Sequence, residues 1–232
     1  MCDELNKIKN RYERRNSLRV KYDNLNPSVY LNLQECEKVL IKWLKNCRFN
    51  QPSKLKLLEI GCGYGSNILQ FVKLGLLPEN LFGNDLIKER IEHARRILPD
   101  SVGFFVGDVS KINLHNESFD IVFQSVVFSS ILDSEFKDRL AKKMWQLTKL
   151  GGGILWYDFI YDNLMNKDVK SIKFKEVKLL FPYRINKKWK LTLAPPLSRI
   201  ITKIHPSLYF FINVCPLLRT HILCWIEKPS NI

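Results

Sequence analysis

The chain has 232 residues, of which 46% are hydrophobic and 26% charged, with a formal net charge of +14. That balance excludes collagen-like, low-complexity and largely disordered proteins, and one α/β domain is enough to fill the length. The charge excludes no partner by itself, because such a field concentrates any anion: nucleic acid, an anionic membrane surface, an acidic small substrate, or only solvent counter-ions around a lysine-rich surface.

The chain opens on Met1-Cys2-Asp3-Glu4-Leu5-Asn6, polar and acidic where a secretory signal is basic and then apolar, so a cytoplasmic protein is expected. Residues 1–50 read as an N-terminal helical cap. They carry a basic and aromatic cluster (Arg11, Tyr12, Arg14, Arg15, Arg19, Lys21, Tyr22), then Asn26-Pro27 and a helix over 28–47 with Val29, Leu33, Cys36, Val39, Leu40, Trp43 and Leu44 at helical spacing. Residues 54–193 alternate short apolar runs with amphipathic helices, the pattern of βαβ units and a mainly parallel sheet. Strands are expected at 56–60, 81–84, 102–106, 119–124 and 154–159, the last after a turn Gly151-Gly152-Gly153, with helices at 66–74, 88–97 and 134–148. A short helix at 174–180 leads to a strand at 188–193, and a final strand spans 221–227, within a closing segment 220–228. Between them, residues 194–219 are apolar but broken by Pro195, Pro196, Pro206 and Pro216. They lack the ~20 uninterrupted apolar residues of a membrane span and read as an insertion of short helices, a lid. The six cysteines (Cys2, Cys36, Cys47, Cys62, Cys215, Cys224) show no C-x-x-C pairing, so no metal site and no disulfide framework is expected.

Three features carry chemistry. In Lys56-Leu57-Leu58-Glu59-Ile60-Gly61-Cys62-Gly63-Tyr64-Gly65-Ser66-Asn67 an apolar strand runs into a glycine-rich turn and then a helix. Glycine is needed there for positive φ angles and for close approach of backbone to a ligand. A dinucleotide site would carry G-x-G-x-x-G, and its third glycine is Ser66 here, which disfavours a nicotinamide cofactor. Second, Asp85 lies twenty positions after Gly65, followed by Leu86, where a carboxylate accepts from ribose hydroxyls. Third, Gly107-Asp108-Val109 follows strand three, where a carboxylate can accept from an exocyclic adenine amine. Each alone could be an ordinary turn or helix cap; together, at the ends of successive strands, they describe one site.

On these residues the sequence resembles the class I S-adenosylmethionine-dependent methyltransferases, over about residues 55–155. The resemblance implies a Rossmann-like three-layer αβα sandwich with a seven-stranded, mostly parallel sheet whose last strand is antiparallel. It also implies that Glu59, Gly61, Cys62, Gly63, Gly65 and Asn67 line the methionine part of S-adenosyl-L-methionine, that Asp85 with Leu86 holds the ribose and Asp108 with Val109 the adenine, and that Gln124 faces the reacting centre. A narrower resemblance, through Arg15, Tyr22-Asp23-Asn24-Leu25-Asn26-Pro27, Gln124-Ser125-Val126-Val127-Phe128, Leu155-Trp156-Tyr157-Asp158-Phe159 and Thr192-Leu193-Ala194-Pro195-Pro196, is to bacterial methyltransferases of surface-polysaccharide and sugar-modification pathways. It implies O-methylation of a sugar, glycan or other small polar acceptor.

Asp158, at the carboxyl end of strand five, is the candidate general base, its alternative being a turn or cap carboxylate; Tyr157, Tyr161 and Asp162 follow. Arg15, Tyr22, Ser125 and Tyr161 are the candidate acceptor contacts, Arg15 suiting a phosphate or carboxylate. His93 and His115 read as surface residues, and His205 and His221 as structural unless the insertion folds over the site. A nucleic-acid methyltransferase is the main rival, favoured by charge, but strand four ends in Gln124-Ser125-Val126-Val127 and lacks the Asn/Asp-Pro-Pro-aromatic motif of amino-methylating enzymes of bases. A peripheral membrane contact through residues 194–219 is a second alternative, able to coexist with catalysis.

Overall fold

The computed structural model describes residues 2–16, 23–47, 49, 51–162, 168–181 and 185–230. Helices α1 (Cys2–Asn16) and α2 (Pro27–Asn46) precede β1 (Leu57–Ile60), α3 (Ser66–Lys73), β2 (Leu81–Asp85), α4 (Lys88–Ile97), β3 (Gly103–Val106), β4 (Phe119–Ser125), α5 (Ser134–Leu147) and β5 (Thr148–Phe159). Then come α6 (Phe174–Leu180), β6 (Ile185–Leu193), α7 (Pro195–Ile204), α8 (Leu208–Asn213) and β7 (Arg219–Glu227). Helix starts follow local chemistry. The Asn26 side chain accepts from Ser28 N at 3.1 Å with Pro27 in the first turn, where a missing N–H costs nothing, and Asp133 accepts from Phe136 N at 2.6 Å to start α5.

Among the described residues the strands form one seven-stranded sheet in the order β3-β2-β1-β4-β5-β7-β6. The pairings from β3 through to β5 are parallel, and β7 runs antiparallel to both β5 and β6. This is the doubly wound sandwich with a reversed last strand that the resemblance implies. Alternation along the strands sorts the core into two layers. Leu58, Ile60, Val122, Ile154 and Trp156 pack with α1, α5 and α6, whereas Leu57, Ile121, Phe123 and Leu155 pack with α2, α3 and α4.

Two strand starts differ most from the sequence expectation. β6 begins at Ile185, three residues early, and β5 begins at Thr148, so the glycines read as a turn lie inside the strand. Only Gly151 has a turn-like φ, +75°. Gly153 pairs with Ile121 on one side and Glu227 on the other. A Cβ on Gly152 would sit 2.5 Å from the Asp120 carbonyl oxygen, and one on Gly153 2.5 Å from the Trp225 ring. Gly152 and Gly153 are therefore demanded by the close approach of neighbours, a reason that leaves the same mark in sequence as a turn.

Candidate functional site

Strand order reverses between β1 and β4, and in such sheets the carboxyl ends part there to leave a crevice. A cleft occupies it. Ile60, Gly61, Asn84, Asp85, Leu86, Asp108 and Val109 line it from the strand ends, Val127, Ser130 and Ile131 from the segment after β4, Phe136 and Leu140 from α5, and Ile8 and Tyr12 from α1.

The glycine turn is shaped by three different needs. Gly61, Gly63 and Gly65 have φ of 68°, 54° and 85°, values that side chains resist. A Cβ on Gly61 would lie 2.5 Å from Val127 Cγ2, and one on Gly65 2.6 Å from Leu98 Cδ1, so the first lets the loop after β4 close and the second admits the residue that ends α4. At Gly63 a Cβ would meet nothing within 4 Å, and its N–H donates to Asp85 Oδ2 at 2.9 Å. Asp85 Oδ1 accepts from Ile87 N at 2.9 Å, so one carboxylate ties the turn after β1 to the turn after β2. Cys62 lies buried beneath, its N–H on the Asn84 carbonyl.

Two buried carboxylates are only half satisfied. Asp108 Oδ1 accepts from Ser110 N at 2.9 Å and Ser110 Oγ at 2.7 Å, while Oδ2 is buried without a partner. Glu59 Oε1 accepts from Asn67 Nδ2 at 2.6 Å, and Oε2 is likewise buried without a partner. Burial pushes the Glu59 carboxyl up to about 8. Unsatisfied buried acceptors are costly and rare in folded proteins, and a ligand's donors are a ready explanation.

The segment after β4 is held under strain. Val126 is β-branched at φ 57°, a conformation uncommon for such residues and concentrated at functional sites. Gln124, fully buried, uses both ends of its amide to fix it: Oε1 accepts from Val127 N at 3.0 Å and Nε2 donates to the Tyr157 carbonyl at 3.2 Å. Its side chain thus shapes the wall of the cleft from behind.

Asp158 and Tyr157, adjacent in sequence, fall on opposite faces of the sheet. Asp158 is fully buried on the α5 side, accepting from Ser129 N at 3.2 Å and Phe159 N at 2.9 Å, and burial pushes its carboxyl up to about 7. Tyr157 packs on the α2 side, its hydroxyl 2.7 Å from Thr192 Oγ1 and its ring stacked on His221. Burial raises the Tyr157 phenol well above its usual value and lowers His221 to about 4, so both stay neutral. His93, His115 and His205 are exposed, His93 standing edge-on to Tyr64.

Of the residues singled out in the sequence, Gly61, Asp85, Leu86, Asp108 and Val109 meet at the cleft, and Glu59, Cys62, Gly63, Gly65, Asn67 and Gln124 stand behind them. Ser125 is half-buried beside Tyr157 in the β4–β5 ladder. Tyr161 is exposed and accepts from Lys190 Nζ at 3.0 Å, and Asp162 is exposed with its carboxyl lowered by bonding to Ser171. The Arg15 side chain and Tyr22 lie outside the described residues. In their place the N-terminal helix contributes Ile8 and Tyr12 to the lining, with Leu5, Ile8 and Tyr12 at helical spacing as the signal that could have found them. Arg11 secures that helix: it is buried, with Nη2 2.6 Å from Glu4 Oε1 and 3.1 Å from the Ser130 carbonyl, while the Arg90 guanidinium sits 4.2 Å over the Tyr12 ring. Arg11→Met is expected to weaken cofactor binding about tenfold by freeing α1 from the Ser130 turn, measurable by calorimetry, with little change in the far-ultraviolet circular dichroism.

A family profile described as a methyltransferase domain matches residues 58–156, from β1 to the middle of β5. The match covers 99 of the chain's 232 residues, less than half. Arsenite methyltransferase of Rattus norvegicus is 24% identical over 169 residues, covering 67% of this chain and 43% of that relative, so the chain spans less than half of the relative's length. An S-adenosylmethionine-dependent methyltransferase from Mesorhizobium loti superposes with a TM-score of 0.56 at 15% identity, covering 80% of this chain and 94% of that one. The cyclase SpnF superposes with a TM-score of 0.60 at 12% identity, covering 83% and 80%. Likeness at that level concerns the fold alone, and a cyclase among the similar structures underlines that one fold hosts several chemistries.

The residues present fit S-adenosyl-L-methionine, the cofactor that the sequence resemblance implies. The unpartnered Asp108 Oδ2, on a residue lining the cleft, suits an exocyclic amine, the unpartnered Glu59 Oε2 beneath the glycine turn suits an ammonium, and Asp85 retains lone pairs for hydroxyls.

Proposed function

We propose that the protein is an S-adenosylmethionine-dependent methyltransferase that O-methylates a sugar, a glycan or another small polar acceptor. The observation that carries the methyltransferase half of this proposal is the pair of half-satisfied buried carboxylates, Glu59 in β1 and Asp108 just after β3, within the stretch that the methyltransferase profile matches. When bound, the cofactor supplies an activated methyl group on a sulfonium leaving group; this chain's task is alignment and, for a hydroxyl acceptor, removal of a proton.

Asp158 supports the hydroxyl half. Its carboxyl, fully buried next to the cleft lining rather than in it and bonded to Ser129 beside the lining residue Ser130, is pushed up to about 7 by burial, a value matched to taking a proton near neutral pH. Through Ser129 it also holds the turn that presents Ser130 to the cleft. The narrower sugar-pathway resemblance supports the acceptor class. The arsenite chemistry of the rat relative is not carried over, because the match spans only 43% of that relative at 24% identity.

Calorimetry with S-adenosylmethionine and S-adenosylhomocysteine, followed by a screen of nucleotide sugars and glycans for methyl transfer, tests the proposal; folded protein that binds neither cofactor form refutes it. With an acceptor in hand, Asp158→Asn is expected to lower kcat by about a hundredfold or more, abolish the rise of activity through about pH 7, and leave cofactor affinity unchanged. A weakened cofactor affinity with normal kcat would assign Asp158 to holding the turn alone.

A further inference from the structure

The α7–α8 insertion is built inside out. Ser198, Thr202 and Asn213 are buried, while Ile200, Ile204, Phe210 and Val214 are exposed, as are Phe211 and Leu217 at 76% and 79%. This is not loose packing. Ile201 and Tyr209 form a small core with Leu31 and Leu193, the Tyr209 hydroxyl contacts Asn32 and Glu35 at 2.8 Å each, and Arg219 Nη2 donates to the Asn213 carbonyl at 2.6 Å. The body takes Ile201, Tyr209 and the polar Ser198, Thr202 and Asn213, and a second set of apolar side chains is left on the outside. Isolated exposed apolar residues are ordinary, but a run of them across consecutive elements marks a contact surface.

Charge identifies the occupant. The fifty residues 177–226 contain eight Lys or Arg and not one Asp or Glu, so this stretch carries +8 of the chain's +14. Lys203 is exposed on α7, and Lys38 of α2 sits 5.4 Å over the exposed Phe210 ring. A second copy of the chain would bring the same positive field against itself. An anionic surface with an apolar layer beneath satisfies both properties at once. We propose that α7, α8 and the turn 216–218 dock the protein on an anionic lipid bilayer, with the apolar side chains entering the headgroup boundary and the basic residues at its surface. The insertion lies in the interface: among the described residues no helix is long and apolar enough to cross a membrane.

The test is co-sedimentation of the full chain with vesicles of phosphatidylcholine alone and of phosphatidylcholine mixed with phosphatidylglycerol. Binding is expected to the mixed vesicles, with affinity falling more than about tenfold in the double variant Phe211→Ser/Leu217→Ser and comparably in Lys203→Glu at low salt. Because these side chains are exposed, melting temperature and S-adenosylhomocysteine affinity should match those of the unaltered protein, which separates this result from any failure of the methyltransferase proposal. Absence of binding to the mixed vesicles, equal binding to both compositions, or binding that survives the double substitution overturns the proposal. So does a dimer in sedimentation equilibrium that the double substitution dissolves, since the surface would then belong to a second copy.

Discussion

Asp108→Asn is expected to weaken S-adenosylhomocysteine binding by about tenfold to a hundredfold while leaving the fold intact. Asparagine keeps an oxygen for Ser110 N and Oγ, which now bond Asp108 Oδ1 at 2.9 and 2.7 Å, so the short turn that follows β3 survives. What changes is the unpartnered Oδ2, replaced by an amide NH2. A buried acceptor suited to an amine then becomes a donor facing a donor, and both groups lose their bond. The sign can be reversed: S-inosylhomocysteine, with an oxygen in place of the adenine amine, should bind the variant better than it binds the unaltered protein. Equal affinities of the variant and the unaltered protein for both ligands would remove Asp108 from the base pocket.

Glu59→Gln is expected to act in opposite directions on the free and the bound protein. Burial is the main cause of the raised Glu59 carboxyl, at about 8 against an ordinary 4.5; the Asn67 bond opposes it, and nearby Asp85 adds to it. A group raised on folding contributes stability that is complete below its unfolded value and lost as pH climbs through its folded one. The ligand-free protein should therefore lose on the order of a few kcal/mol from this site between pH ~5 and pH ~8. Glutamine has no proton to lose, so the variant should melt higher than the unaltered protein at pH 8 and nearly equal to it at pH 5. Bound cofactor reverses the order, since its ammonium favours the carboxylate at Oε2. Thermal melts at both pH values, with and without S-adenosylmethionine, would show a much smaller ligand-induced rise in the variant; an undiminished rise would mean that Glu59 serves only Asn67.

How far this molecule can be read from its sequence differs by element. β1 and the turn after it are legible because a strand buried on both faces is apolar at Leu57, Leu58 and Ile60, with Glu59 standing out among them, and because positive φ at Gly61, Gly63 and Gly65 leaves glycine as the natural choice. Asp85 and Asp108 are legible by their place at strand ends. The pairing of Tyr157 with Asp158 is different: a strand's period of two puts neighbours on opposite faces, so the position that marks one as facing the cofactor side sends the other to the α2 layer. The wall made by α1 is legible in part: the basic and aromatic cluster of the sequence includes Tyr12, whereas Ile8 differs from ordinary core residues only by which cavity its helix covers. Gly152 and Gly153 show the same limit, because a close approach between strands is a tertiary fact.

The placement of α1 also bears on the tempo of turnover. Ile8 and Tyr12 are part of the cavity that receives the cofactor, and Arg11 anchors their helix to the Ser130 carbonyl on the opposite side. Each contact that makes the cavity tighter for the incoming sulfonium makes it equally reluctant to let the spent thioether go, because both must pass the same wall. On the proposed reading the residence time of the product depends on the hold of α1, and loosening that helix is expected to trade affinity for throughput.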